Sequence, residues 1–236
     1  MANGLSMNPG QLEESQHVAR REAAPFVLIA AGADVLLAVL SLSRGWELFG
    51  ASDWWVWLVL AAPAVVLALV FRAGLGGLGV SSEHRREFAV VLLTLLAAAN
   101  FTGIALLVGS LLTGGKTTGG QLLASAGVVL LVNVITFGLV FWEVDSGGPI
   151  RRALADKRAT PDFQFPQDEN PQLAAPDWRP ALSDYVYIAV TNSIAFSPTD
   201  AMPLTHRAKL FMGIESLMAA TTVLLVAARA VNILQS

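Results

Sequence analysis

The chain has 236 residues, of which 54% are hydrophobic and only 14% charged, whereas soluble domains carry about 25% charged residues. Its apolar residues fall in long blocks, which excludes a soluble globular domain and favours one compact membrane domain. A net charge of −3 supplies no basic face for nucleic acid. The lack of cysteine excludes disulfides, thiolate metal sites, iron–sulfur clusters and a cysteine nucleophile.

Residues 1–24 are a polar N-terminal stretch. Gln11, Glu13, Glu14, Ser15 and Gln16 leave no apolar core for a signal peptide, so a tail or a short surface helix is expected there. A membrane-crossing helix needs about 20 mainly apolar residues. Five segments meet that length: about Pro25–Ser43, Asp53–Phe71, Phe88–Leu112, Leu122–Val144 and Ala208–Leu234. Gly-rich or charged breaks separate them, at Ser43–Gly45, Gly74–Arg86 and Thr113–Gly120. Backbone polar groups in lipid must be satisfied within the segment, so the spans are read as helices. The run Gly74–Gly79 lacks the Lys-Ser/Thr ending of a phosphate loop and reads as a turn.

Residues 25–145 thus form a four-helix membrane region, and 146–181 a Pro-rich, water-exposed loop. That loop holds Pro149, Pro161, Pro166, Pro171, Pro176 and Pro180 of the chain's 11 prolines. Five crossings place ten of the 15 Lys and Arg residues, including Arg20, Arg21, Arg85, Arg86 and Arg151, on one side. Only Arg44, Lys116 and Arg229 fall on the other. The bias predicts a cytoplasmic N-terminus and loop, with Trp54, Trp55 and Trp57 at the outer interface.

Residues 182–236 hold one element that does not fit a crossing. The apolar part of Leu182–Ala195 is about a dozen residues, too short to span, and suits a re-entrant or interfacial helix. Ser183 or Asp184 is the expected cap, and Pro198 the expected stop. Ser197, Thr199 and Asp200 then place three oxygen-bearing side chains in four residues. Non-helical backbone at membrane depth is tolerated where it is buried or lines a watery cavity. Two readings stand: a polar turn facing such a cavity, or a plain cap for the last helix.

The layout of Tyr187–Asp200, with Thr191 and Asn192 in the short helix, the polar turn, Asp200, then Pro203-Leu204-Thr205 and a long apolar helix, resembles the pore module of potassium channels. The resemblance implies an address and an architecture. Where that family has filter glycines this chain has Phe196-Ser197-Pro198-Thr199, so potassium selectivity, which needs a ring of aimed backbone carbonyls, is not implied. The last 100 or so residues also look like a family of uncharacterised bacterial multi-pass membrane proteins, distant and filter-less relatives of that module. That likeness rests on Trp142-Glu143, Asp145–Pro149, Asp162-Phe163, Phe165-Pro166, Asp184–Pro203 and Ala228–Leu234.

Four polar residues sit inside apolar segments: Asp34, Asn100, Asn133 and Glu215. A charge at mid-bilayer costs about 2.5–3.5 kcal/mol on insertion scales. Asp34 and Glu215 therefore either line a path for an ion or proton, or hydrogen-bond to Asn100, Asn133 or Thr side chains and lock helices together. His17, His84 and His206 are scattered, so neither a metal site nor a cofactor is expected. There is no Ser/His pair at useful spacing, no His-Glu-x-x-His and no acid dyad, so no enzyme is expected.

The fold expected is an all-α polytopic bundle in the cell membrane, with about five transmembrane helices and a short pore-like helix before the last. The function expected is a pore-forming, homo-oligomeric protein, tetramer or dimer, passing a small cation across the lipid bilayer. The alternative is a non-conducting scaffold or sensor that binds a partner through the Pro-rich loop.

Overall fold

The computed structural model describes residues 9–48, 51–73, 85–113, 118–154, 160–176, 178–197 and 200–234. Five long helices carry the fold: α1 (Pro9–Arg44), α2 (Trp54–Ala73), α3 (Arg85–Leu112), α4 (Gly119–Val144) and α8 (His206–Leu234). Between the last two lie α5 (Pro149–Leu154), α6 (Pro166–Glu169) and α7 (Leu182–Ala195). Two-residue strands β1 (Glu47–Leu48) and β2 (Ala51–Ser52) pair antiparallel, as do β3 (Phe163–Gln164) and β4 (Met202–Pro203).

Stretches Gly10–Arg44, Arg86–Leu112, Gly119–Gly147 and His206–Ala228 are long and apolar enough to cross a membrane. The 20 residues of α2 reach about 30 Å at 1.5 Å per residue, the thickness of a hydrocarbon core. The all-α polytopic bundle expected from hydropathy is what forms.

Contacts at the helix ends sort them onto two faces. Arg86 Nε lies 3.4 Å from Glu143 Oε1, joining the start of α3 to the end of α4. The Leu182 N–H donates to Glu22 Oε2 at 3.2 Å, joining the start of α7 to the N-terminal part of α1, and α5 packs on α1 as well. These ends form one face, here the loop face. On the other, Gln121 Nε2 donates to the Glu47 carbonyl at 3.0 Å, tying the start of α4 to the β1–β2 hairpin.

Helix α1 begins four turns before the first predicted span. Residues 9–24, read as a tail or short surface helix, continue through Pro25 without a break. Proline withholds one N–H and crowds the turn before it, at a cost of about 3 kcal/mol. Burial of Ala23, Val27 and Ala30 against the bundle offsets it. Helix α4 is the hub and packs on α1, α3, α7 and α8. Lipid tails are as apolar as Leu, so close packing and interhelical hydrogen bonds hold these helices together. Gly138 shows how close: a Cβ built there would lie 2.7 Å from Val186 Cγ2 and 3.0 Å from Val186 Cα of α7.

The Trp cluster divides. Trp55 is exposed, as an interfacial anchor should be, but Trp57 is buried and donates its indole N–H to Asp53 Oδ2 at 3.3 Å. Two residues beyond Trp55, Trp57 is turned about 200° around α2, into the bundle.

Candidate functional site

The segment that resisted assignment as a crossing enters the bundle and leaves on the same face. Helix α7 starts at the loop face beside Glu22. Its N-terminal turn is closed by Asp184, whose Oδ2 accepts the Ala181 N–H at 2.8 Å; Asp184 caps from the third helical position rather than from the cap itself. Ten residues on, about 15 Å deeper, Asn192 Nδ2 donates to Glu215 Oε2 at 2.8 Å and to the Met212 carbonyl at 2.9 Å. Ser193 Oγ donates to Glu215 Oε1 at 3.0 Å. Glu215 stands nine residues into α8, about 14 Å from its start, so the two helices descend together to similar depth. By Met202 the chain is back at the loop face, paired with Gln164.

Glu215 is fully buried and both its carboxylate oxygens are taken. Of the two readings of this acid, its bonds match the locking one, with partners Asn192 and Ser193 in place of Asn100, Asn133 or Thr. Thr191 Oγ1 turns back onto the Ile188 carbonyl at 3.0 Å. Helix α7 ends at Ala195, before Pro198, with Phe196 in the left-handed region at φ 52° and ψ 29°. Glycine or asparagine usually fills that cap position; here an aromatic residue does. Ser197 and Asp200 are exposed, while Thr199, like Gly74–Gly79, lies outside the described residues.

A second polar cluster clamps the re-entrant unit at the loop face. Asp145, at the end of α4, is fully buried. Its Oδ1 accepts the Asp162 N–H at 2.7 Å, and its Oδ2 accepts the Tyr185 hydroxyl at 2.5 Å. Arg152 Nη1 donates to the carbonyls of Trp142 at 2.7 Å and Asp145 at 2.6 Å, with its guanidinium 5.1 Å from the Tyr185 ring centre. Asp162 is buried too. It accepts from Arg207 Nε and Nη2, each at 2.6 Å, from Thr205 Oγ1 at 2.5 Å, and from the Ser146 N–H at 3.2 Å. The forked Arg207 contact is the strong bidentate kind. Burial acts most on Asp162 and opposes its charge. The bonds from Arg207 and Thr205, the Arg207 charge and the Ser146 N–H outweigh it and hold the carboxyl below its usual range.

The Pro-rich stretch is therefore not water-exposed throughout. Phe163 and Phe165 are buried, with ring centres 6.2 Å and 5.4 Å from Tyr185. Proline and charge composition reads as loop, and composition does not register that single aromatic and acidic residues within it turn inward.

The remaining candidates lie among α1 to α4. Asn100 Nδ2 donates to Asn133 Oδ1 at 2.8 Å, linking α3 and α4 inside the bundle. Asn133 Nδ2 is buried with no partner. Asp34, 5% exposed, lines a small cavity with Asn100, Trp57 and Gly103. It makes no hydrogen bond or ion pair among the described residues. So Asn192 and Glu215 come together, Asn100 and Asn133 come together, and Asp34 shares a cavity with Asn100 but bonds to neither pair among the described residues.

Sequence reasoning missed Arg152, Tyr185 and Arg207 and gave Asp145 and Asp162 no role. The available signal was an acid directly after an apolar helix, followed by Ser-Gly-Gly-Pro: a helix end that must satisfy its last carbonyls. Among the described residues, no group of three or more His, Asp or Glu comes together to hold a metal. No family model, curated protein or solved structure matches the chain.

Proposed function

We propose that this protein is a homo-oligomeric membrane protein whose α4–α7–α8 unit forms a pore module for a small cation. One observation carries the reading. A helix arrives at the loop face, a short helix goes in, the chain is back at that face by Met202, and a long apolar helix follows. That is the plan of a pore module, and hydrogen bonds hold it at both ends, Asn192–Ser193–Glu215 at depth and Asp145–Asp162–Arg207 at the face. Open backbone at membrane depth is stable only against protein or water. Exposed Ser197 and Asp200 on the return segment fit a watery lumen between subunits. Leu210, Leu217 and Leu224, seven residues apart and each exposed, give α8 an apolar stripe for a neighbouring copy or lipid.

The lumen carries no potassium selectivity, because Phe196–Thr199 cannot supply a ring of glycine-backed carbonyls. The Lys and Arg bias supports a loop face in the cytoplasm, which makes the module inverted relative to potassium channels. The scaffold reading has less support, since Phe163 and Phe165 are spent on Tyr185 and not on a partner.

The test is cation flux into proteoliposomes, with the oligomeric state read in nanodiscs. The reading expects a symmetric oligomer and a flux that Asp200→Ala lowers at least severalfold while the oligomer persists. A monomer, or an oligomer with no flux above empty liposomes, overturns it.

A further inference from the structure

The first four helices enclose a carboxylate that the pore reading does not use. Asp34 sits nine residues after Pro25 on α1, inside the apolar stretch, and is 5% exposed. Among the described residues it has neither a hydrogen-bond donor nor a cation beside it. An ionised carboxylate is costly in such a place, and a proton removes the charge. Asp34 borders a cavity of about 10 Å³ whose other walls, from α2, α3 and α4, carry no charge and are mostly apolar. That lining suits a neutral acid. Asn100, which spends its Nδ2 on Asn133, keeps an amide oxygen to accept the acid's O–H across the cavity.

The buried polar residues around Asp34 are not spread evenly along the bundle. From α1 through α3 they lie level with Asp34 or toward the β1–β2 hairpin: Ser41, Asp53, Asn100 and Ser110. Toward the loop face, Val27, Ala30, Leu67 and Leu92 are buried in their place. Helix α4 adds Gln121 and Ser125 on the hairpin side, and Thr136 one turn past Asn133. Ser41 follows Asp34 by seven residues, two turns or about 10 Å along the same face of α1, with Ala38 between them. Ser41 Oγ and Asp53 Oδ1 are both buried and unbonded among the described residues, and Ser41 and Gln121 face the Asp53 carboxyl. Trp57 joins the two ends: its ring lines the Asp34 cavity and its N–H donates to Asp53. Small or polar side chains thus run from the hairpin end to Asp34, while mostly apolar ones separate it from the loop face. Acids that face the interior of a membrane bundle mark ion or proton paths, and this lining leaves the proton.

We propose that Asp34 is a membrane-buried proton-binding site, loaded and emptied from the hairpin face by way of Asp53 and Ser41. The proton comes from water at that face and neutralises the carboxylate; its release returns one negative charge to the interior. The site uses none of the Glu215 cluster and stands whether or not the chain conducts.

The experiment is time-resolved infrared difference spectroscopy on the full chain in nanodiscs after a pH jump. Raising the pH should remove a neutral-carboxyl C=O band, and that change should be absent in Asp34→Asn, which keeps the side chain's shape and breaks no bond among the described residues. Ser41→Ala and Asp53→Asn should each slow the band's response at least tenfold. Thr136→Val, on the loop side, should leave the rate within about twofold. Ser41→Ala deletes a hydroxyl that bonds nothing among the described residues, so it folds and carries the test of the route should Asp53→Asn fail to. A pH response that is the same in wild type and Asp34→Asn overturns the proton site. A response slowed by Thr136→Val, or left unslowed by Ser41→Ala, overturns the hairpin route.

Discussion

The two parts of the bundle treat their buried acids in opposite ways. In the re-entrant part, Asp145, Asp162 and Glu215 are each fully buried and each hydrogen-bonded by named donors from another element. In the α1–α4 part, Asp34 is nearly as buried and has no donor among the described residues. Burial is the same; satisfaction is not. A buried polar group whose bonds are complete rigidifies a fold, whereas one left incomplete costs free energy unless something else completes it. The comparison separates acids that hold this protein together from a buried acid that bonds to nothing among the described residues.

The largest expected effect tests that separation directly. Asp162→Ala removes the acceptor for Arg207, Thr205 and the Ser146 N–H; Arg207 is half exposed and stays solvated, but losing three hydrogen bonds to one buried carboxylate costs about 3 kcal/mol or more. Asp34→Asn breaks no bond and should change stability by less than about 1 kcal/mol. Unfolding in detergent, followed by circular dichroism, reads both. Equal losses would erase the distinction. The Asp162 carboxyl is held below its ordinary value, so its contribution is present above that value and lost as pH falls through the lowered one. Acidification should therefore destabilise wild type more steeply than Asp162→Asn.

A smaller effect is expected at the contact between the parts. Gly138→Ala places a Cβ 3.0 Å from Val186 Cα, and backbone cannot rotate away as a side chain can. The cost is that of overpacking, about 1–3 kcal/mol. Limited proteolysis should then cut earlier around α7 than in α1–α3. Uniform loosening would mean that α7 is not an independently seated element.

Hydropathy reads the long apolar helices because a segment fit to cross a membrane must satisfy its own backbone, which makes length and apolar content sufficient. It also reads α7 as the exception, since a dozen apolar residues cannot span. What it does not read is pairing. Asn192 and Glu215 were both singled out, yet 23 residues apart on different helices, nothing in spacing says that they meet. Periodicity gives a face, not the neighbour across it. Asp162 was harder still, because it sits among prolines and charges whose composition belongs to a solvated loop. Its burial depends on Arg207, which reads as an ordinary charge at a helix start. The extension of α1 to Pro9 was hidden by Pro25, whose local penalty is outweighed by distant packing.

The smallest effect concerns the tip of α7. Phe196 is left-handed at φ 52°, a conformation that costs a residue with a Cβ roughly 1–2 kcal/mol and glycine nothing comparable. Phe196 is 50% exposed within the chain, so a lone protomer would lose little packing on truncation. Phe196→Gly should then stabilise an isolated protomer, by about 1 kcal/mol at most. In an oligomer whose subunits bury the α7 tips against one another, the same change deletes an aromatic anchor and should lower oligomer stability instead. Measuring unfolding and oligomer dissociation on the one variant separates these outcomes. A gain in both would make Phe196 a tolerated cap. A gain in the first with a loss in the second would place its ring in a subunit contact, where an aromatic at a strained turn is worth more than the strain it stores.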